Sequence, residues 1–99
     1  MSSPDQWKIA LFNSKHDVTE QQQFHALVEE IGELAEAYNT EASDDEVAEE
    51  IADVLFVARS LAELRDIDPS MHLNETIVEN TKKDRNTDGR KITKAGSLE

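Results

Sequence analysis

Apolar positions recur along this chain with a helical period, and no stretch shows the alternation of β-branched residues that marks a strand. The first segment, from about Asp5 to Asn13, carries Trp7, Ile9, Ala10, Leu11 and Phe12 and predicts a short helix. Thr19 followed by Gln22 has the form of a capping box, so a long helix is expected to open there and run to about Tyr38. Its stripe is Phe24, Leu27, Val28, Ile31, Leu34, Ala35 and Tyr38, spaced as i, i+3, i+4, i+7. Asn39 to Ala42 break the pattern. Ser43 with Glu46 is a second capping box, opening a helix to roughly Asp66 along Val47, Ile51, Val54, Ala58 and Leu61, widened by Leu55, Val57, Ala62 and Leu64. Asp68-Pro69 reads as an N-cap with proline at the first helical position of a fourth helix, reaching about Arg85 through Met71, Ile77 and Val78. The expected fold class is all-α: three to four helices in an antiparallel helical bundle, completed by oligomerisation. Phe56 falls on the side of its helix opposite the main stripe and is expected to mark a subunit contact.

Length and charge narrow the function. The 99 residues suit one domain, with a core at about 5–86 and a basic tail at 87–99. The 22 acids outnumber the 10 lysines and arginines, giving a net charge of −12. Nucleic acid and anionic membrane surfaces are therefore not expected partners, since a phosphate backbone needs a basic face. No apolar run approaches a membrane span or a signal-peptide core, and there is no cysteine for disulfides or thiolate metal sites. The expected compartment is the cytoplasm.

The acids are not spread evenly. Asp17 to Ala58 holds 13 of them and no lysine or arginine, whereas Asn80 to Glu99 carries a local net charge of +3. On a wheel of about 100° per residue with Val47 at zero, Val54, Leu61 and Val57 fall between about 280° and 340°, and Glu50 lies among them at about 300°. Asp53 stands at the edge of that arc. A carboxylate in such a place must be neutralised, protonated, paired or metal-bound, and the stretch contains no cation to pair with it. In the preceding helix Glu30 and Glu33 flank Leu34 at i, i+3 spacing, which brings two side chains to one face. Two antiparallel helices can thus aim Glu30, Glu33, Glu50 and Asp53 at a common point. Carboxylates alone, with no nitrogen or sulfur donor, suit a hard divalent cation, Mg²⁺ or Mn²⁺.

The run Glu29-Glu30-Ile31-Gly32-Glu33, followed by Glu49-Glu50-Ile51-Ala52-Asp53, resembles the E-E-x-x-E … E-x-x-D signature of the MazG-like all-α NTP pyrophosphohydrolases. Asn80-Thr-Lys-Lys83-Asp-Arg85, with Asp88-Gly89-Arg90-Lys91 after it, is similar to the end of that family's last helix and the turn beyond. The resemblance covers about residues 20–94. It implies hydrolysis of a nucleoside triphosphate to the monophosphate and diphosphate, with Mg²⁺ held by Glu30, Glu33, Glu50 and Asp53. It further implies that Glu29 and Glu49 hold a second metal or orient the attacking water. Asn80, Lys83 and Arg85 would contact phosphates, assisted by Lys82 or Lys91. A homodimer or homotetramer is implied as well, with a role in nucleotide-pool house-cleaning.

Other chemistries fit less well. Asp84 to Gly89 begins like an EF-hand loop, but its twelfth position is Ala95 rather than a bidentate glutamate. His16, His25 and His72 form no Glu-x-x-His pair of the di-iron kind. Trp7, Phe12 and Phe24 could stack on a base, although packing is the commoner use of such residues. Two rival functions stay open at this level: a phosphoribosyl-ATP pyrophosphohydrolase, and a non-catalytic acidic helical module for dimerisation or metal binding.

Overall fold

A computed structural model describes residues 6–83, which form four helices and no strand. They are α1 (Gln6–His16), α2 (Glu20–Asn39), α3 (Asp44–Leu64) and α4 (Ser70–Lys82). The chain up to Asp68 is one compact unit, and a second begins at Pro69.

Both capping boxes form. The Thr19 hydroxyl accepts from the Gln22 amide while the Gln22 side chain accepts from the Thr19 amide, each at 3.1 Å. Ser43 and Glu46 repeat the exchange at 3.2 and 2.9 Å. Asp44, Asp45 and Glu46 in the first turn of α3 also complement the positive end of its dipole.

The helices of the first unit stop by one device. After α1, α2 and α3 the chain places Asp17, Glu41 and Asp66 in the left-handed region, at φ of 51°, 56° and 59°. The next amide then reaches back into the helix: Val18 to the Asn13 carbonyl, Ala42 to Ala37 and Ile67 to Ala62, at 3.2, 2.9 and 3.0 Å. This is the Schellman pattern, in which glycine is the usual left-handed residue. Here an acidic side chain occupies it each time.

Within this unit α3 is the shared element, packing against both α2 and α1. The three meet at a buried polar node. Ser60 has no exposed surface, and its hydroxyl donates to Asn13 Oδ1 of α1 at 2.5 Å and accepts from Gln23 Nε2 of α2 at 2.8 Å. Asn13 also donates to the Ser60 carbonyl at 3.1 Å. The buried apolar residues of this unit are Ile9 and Val57, within four residues of node members, and Ala37, near the far end of α2.

Four expectations change. α1 continues three residues beyond Asn13, since Asn13 is drawn inside as a node member and Lys15 and His16 suit the negative end of the helix dipole. Pro69 stands at the N-cap of α4 rather than its first helical position, with no side-chain cap. Phe56 packs edge-on against Phe12 of α1, with centroids 4.9 Å apart, so its place opposite the stripe is an intrachain contact. The fourth helix ends at Lys82, short of the expected Arg85, because Lys83 turns to extended backbone at φ −77° and ψ 149°; Arg85 itself lies outside the described residues.

Replacing Glu41 with glycine removes a left-handed strain of about 1–2 kcal/mol and introduces a backbone entropy loss of about 0.5–1 kcal/mol. The Glu41→Gly protein is therefore expected to be about 0.5–1 kcal/mol more stable. A urea midpoint at or below that of the parent would contradict this account of the turn.

Candidate metal centre

The hydrogen bond from Gln23 to Ser60 marks the antiparallel register of α2 against α3. Seven residues on from Gln23 is Glu30, and seven back from Ser60 is Asp53; three further along each helix come Glu33 and Glu50. Each step returns to nearly the same helix face. The seam that closes on Gln23 and Ser60 therefore closes on carboxylates two turns away. Glu30, Glu50 and Asp53 each present an oxygen within 4.8 Å of the others. Glu30 and Glu50 are half-buried between the helices, while Asp53 and Glu33 stand toward solvent.

Oε1 of Glu30 and Oε1 of Glu50 are buried without a hydrogen-bond partner, and among the described residues they are the only side-chain atoms in that condition. Desolvation is the main reason that both carboxyls titrate above the ordinary glutamate value. The Glu33 charge is the next cause for each, followed by that of Asp53. Glu30 also feels Glu50, and Glu50 also feels Glu49. No cation appears among the groups that shift either residue. Arg65 of the α3 C-cap pairs with Glu20 of α2 at 2.9 Å, beyond the node at the other end of the seam. Unpartnered oxygens on hard, like-charged donors fit a divalent cation, and no histidine joins the group.

Glu49 is exposed on α3 beside Glu50. Glu29 is exposed on α2 and is not among the groups that perturb the cluster. Glu33, Glu36, Glu41, Glu46, Glu49 and Glu50 rim an open depression of about 620 Å³ at the turn between the two helices. Glu46 is committed there to the Ser43 cap. On the second unit Asn80, Lys82 and Lys83 line one open depression at the C-terminal end of α4, and Lys83 Nζ donates to Asn80 Oδ1 at 3.4 Å. Arg85 and Lys91 lie outside the described residues. Trp7 and Phe24 are exposed, whereas Phe12 is half-buried against Phe56.

A family model for the MazG nucleotide pyrophosphohydrolase domain matches residues 18–88. The chain belongs to this family. The matched MazG segment starts just before the Thr19 cap and takes in α2, α3 and α4, leaving α1 outside it. Comparison with curated proteins and with solved structures gives no match. Among the described residues no helix is long and apolar enough to cross a membrane.

Sequence reasoning did not single out Asn13, Gln23 or Ser60. The signal was present in the same wheel that exposed Glu50: Ser60 falls at about 220°, between the direction of Phe56 and that of Asp53. A hydroxyl there was simply less conspicuous than a charge.

The raised values of Glu30 and Glu50 fix the sign of a pH effect on the cation-free protein. Their contribution to stability is fully present below the ordinary value of 4.5 and is lost as pH rises through the elevated values in the fold. In EDTA, thermal midpoints should therefore fall with this component between pH 4.5 and neutrality. Glu50→Gln should flatten the fall and melt higher than the parent at neutral pH. A steeper fall in the variant would contradict the assignment.

Proposed function

We propose that this chain is an Mg²⁺-dependent nucleoside triphosphate pyrophosphohydrolase that converts NTP and water to NMP and diphosphate, with Mn²⁺ able to replace Mg²⁺. The observation that carries the reading is the convergence of Glu30, Glu50 and Asp53 within 4.8 Å, with two orphaned oxygens, in a chain of the MazG family. Glu30, Glu33, Glu50 and Asp53 are the residues that hold the ion. When bound, the ion supplies charge neutralisation and Lewis acidity at the phosphate chain.

The remaining roles belong to other acidic, polar and basic side chains. Glu49 orients the attacking water, a role supported by its place beside Glu50. Glu29 shares that role on the strength of the motif alone. Asn80, Lys82 and Lys83 bind phosphate oxygens, and Arg85 and Lys91 extend that set. The Lys83–Asn80 bond supports this by holding an ammonium group at the depression that all three line. A triphosphate and the acids of α2 and α3 repel one another, so the ion and these cations together make binding favourable. We read residues 1–99 as one working domain, because the family match crosses from the first unit into the second. A cytoplasmic role in nucleotide-pool house-cleaning follows from the substrate class.

We also propose a homodimer or homotetramer. On the α2 wheel the seam residues Gln23, Glu30 and Ala37 centre near 240° from Phe24, so the apolar stripe is turned about 100° away from α3. Phe24, Val28, Ile31 and Tyr38 are accordingly 54%, 56%, 51% and 65% exposed. A contiguous apolar row of this kind on a small domain is a surface for association.

Two measurements test these readings. Asp53→Asn should lower Mg²⁺-dependent diphosphate release by at least about 100-fold while leaving helical circular dichroism unchanged. The assay is run across NTPs, dNTPs and phosphoribosyl-ATP; turnover confined to phosphoribosyl-ATP would reassign the substrate. Cation binding with no turnover on any of them would favour a non-catalytic helical module. Separately, Val28→Glu with Ile31→Glu should convert the assembly to monomers in sedimentation analysis, and an unchanged mass would remove α2 from the interface.

A further inference from the structure

The carboxylate end of the α2–α3 seam cannot hold its own alignment. Glu30, Glu33, Glu50 and Asp53 repel one another, two of them carry unpartnered buried oxygens, and among the described residues no cation shifts the two buried carboxyls. Left to itself this end would splay, or slide by a turn to separate like charges. Apolar packing resists splaying but discriminates poorly between neighbouring registers, since Leu and Val interdigitate at several heights. Hydrogen bonds do discriminate. In the seam, Gln23 reaches Ser60 at 2.8 Å, and a slip of one turn would strand the buried Gln23 amide and cost the enclosed Ser60 hydroxyl one of its two partners. Asn13 tightens the constraint from α1, because its side chain grips both the hydroxyl and the carbonyl of Ser60. The same residue therefore sees α1 and α2 at once. Two helical turns, about 10.5 Å, separate this node from the level of Glu30 and Asp53, along helices with no proline and no described break between.

We propose that Asn13, Ser60 and Gln23 are positioning residues that preset the register in which the α2 and α3 carboxylates converge on a divalent cation. The proposal rests on the metal reading given above. It makes α1 part of the metal site's support, although α1 carries none of the ligands. A buried, fully paired polar cluster between helices is a recognised means of selecting one packing among several of similar apolar content.

The test is Mn²⁺ affinity, measured by electron paramagnetic resonance on the full chain at a temperature where every variant is folded. Ser60→Ala and Gln23→Met should each weaken Mn²⁺ binding about 10-fold or more, the scale seen when groups that orient metal ligands are removed. Ser60→Thr, which keeps the hydroxyl, should recover most of the affinity. Ile9→Ala, which removes buried apolar surface near the node without touching its hydrogen bonds, should lower the thermal midpoint and leave the affinity unchanged. If Ser60→Ala does not fold, Gln23→Met alone decides, because it alters only the α2 partner. Parent-like Mn²⁺ affinity in the folded node variants, or an equal loss in Ile9→Ala, would overturn the positioning role while leaving the metal reading intact. A parent protein that binds no Mn²⁺ would overturn both.

Discussion

The Ser60 hydroxyl is hydrogen-bonded to α1 and α2 at the same time, from a position with no exposed surface, so α3 can pack against both helices only at one height. Much of the first unit follows from that constraint. It draws Asn13 inside and lets α1 continue to His16, and it fixes which residues of α2 face which residues of α3. Both boxes that cap α2 and α3 and the left-handed turns that end α1, α2 and α3 define the helix lengths. The node aligns them.

That alignment has an electrostatic consequence. It brings half-buried Glu30 and Glu50 to the level of Glu33 and Asp53, where desolvation and mutual repulsion both oppose ionisation. A seam built only for stability would place apolar or oppositely charged residues there. The acidity of this chain thus divides into two physical populations. Most acids are solvated on helix surfaces, and a few are held in a place that makes sense only with a counter-charge brought from outside. The orphaned oxygens of Glu30 and Glu50 lie within the segment matched by the MazG family.

The apolar stripe of α2 teaches a complementary lesson. Its period predicted a helix correctly, yet the row Phe24, Val28, Ile31 and Tyr38 does not face α3. What enters the seam is the mixed flank of Gln23, Leu27, Glu30, Leu34 and Ala37. Periodicity reports that one side of a helix is apolar, but not which neighbour covers it. In α3 the same ambiguity appears: Ile51 and Leu55, both read as core, are 40% and 60% exposed, whereas Ser60 is the residue fully enclosed. Phe56 shows the converse, since an aromatic residue outside the main stripe proved to serve the α1 contact.

Much of the chain was legible in one dimension because the relevant physics is local. Capping boxes act within four residues, helical period within seven, and both Glu-x-x-Glu and Glu-x-x-Asp pairs share a face by helix geometry alone. The sequence by itself therefore determined the all-α class, the starts of α2 and α3 and the three carboxylates, Glu30, Glu50 and Asp53, that meet at the candidate centre, with the charge of Glu33 close by. Tertiary structure decided the rest: which flank of each helix became the seam, that Gln23 and Asn13 would meet at Ser60, and that the two carboxylate pairs would stand at one level. These depend on interhelical register, a long-range quantity set by how three helices fit one another, and no local pattern encodes it.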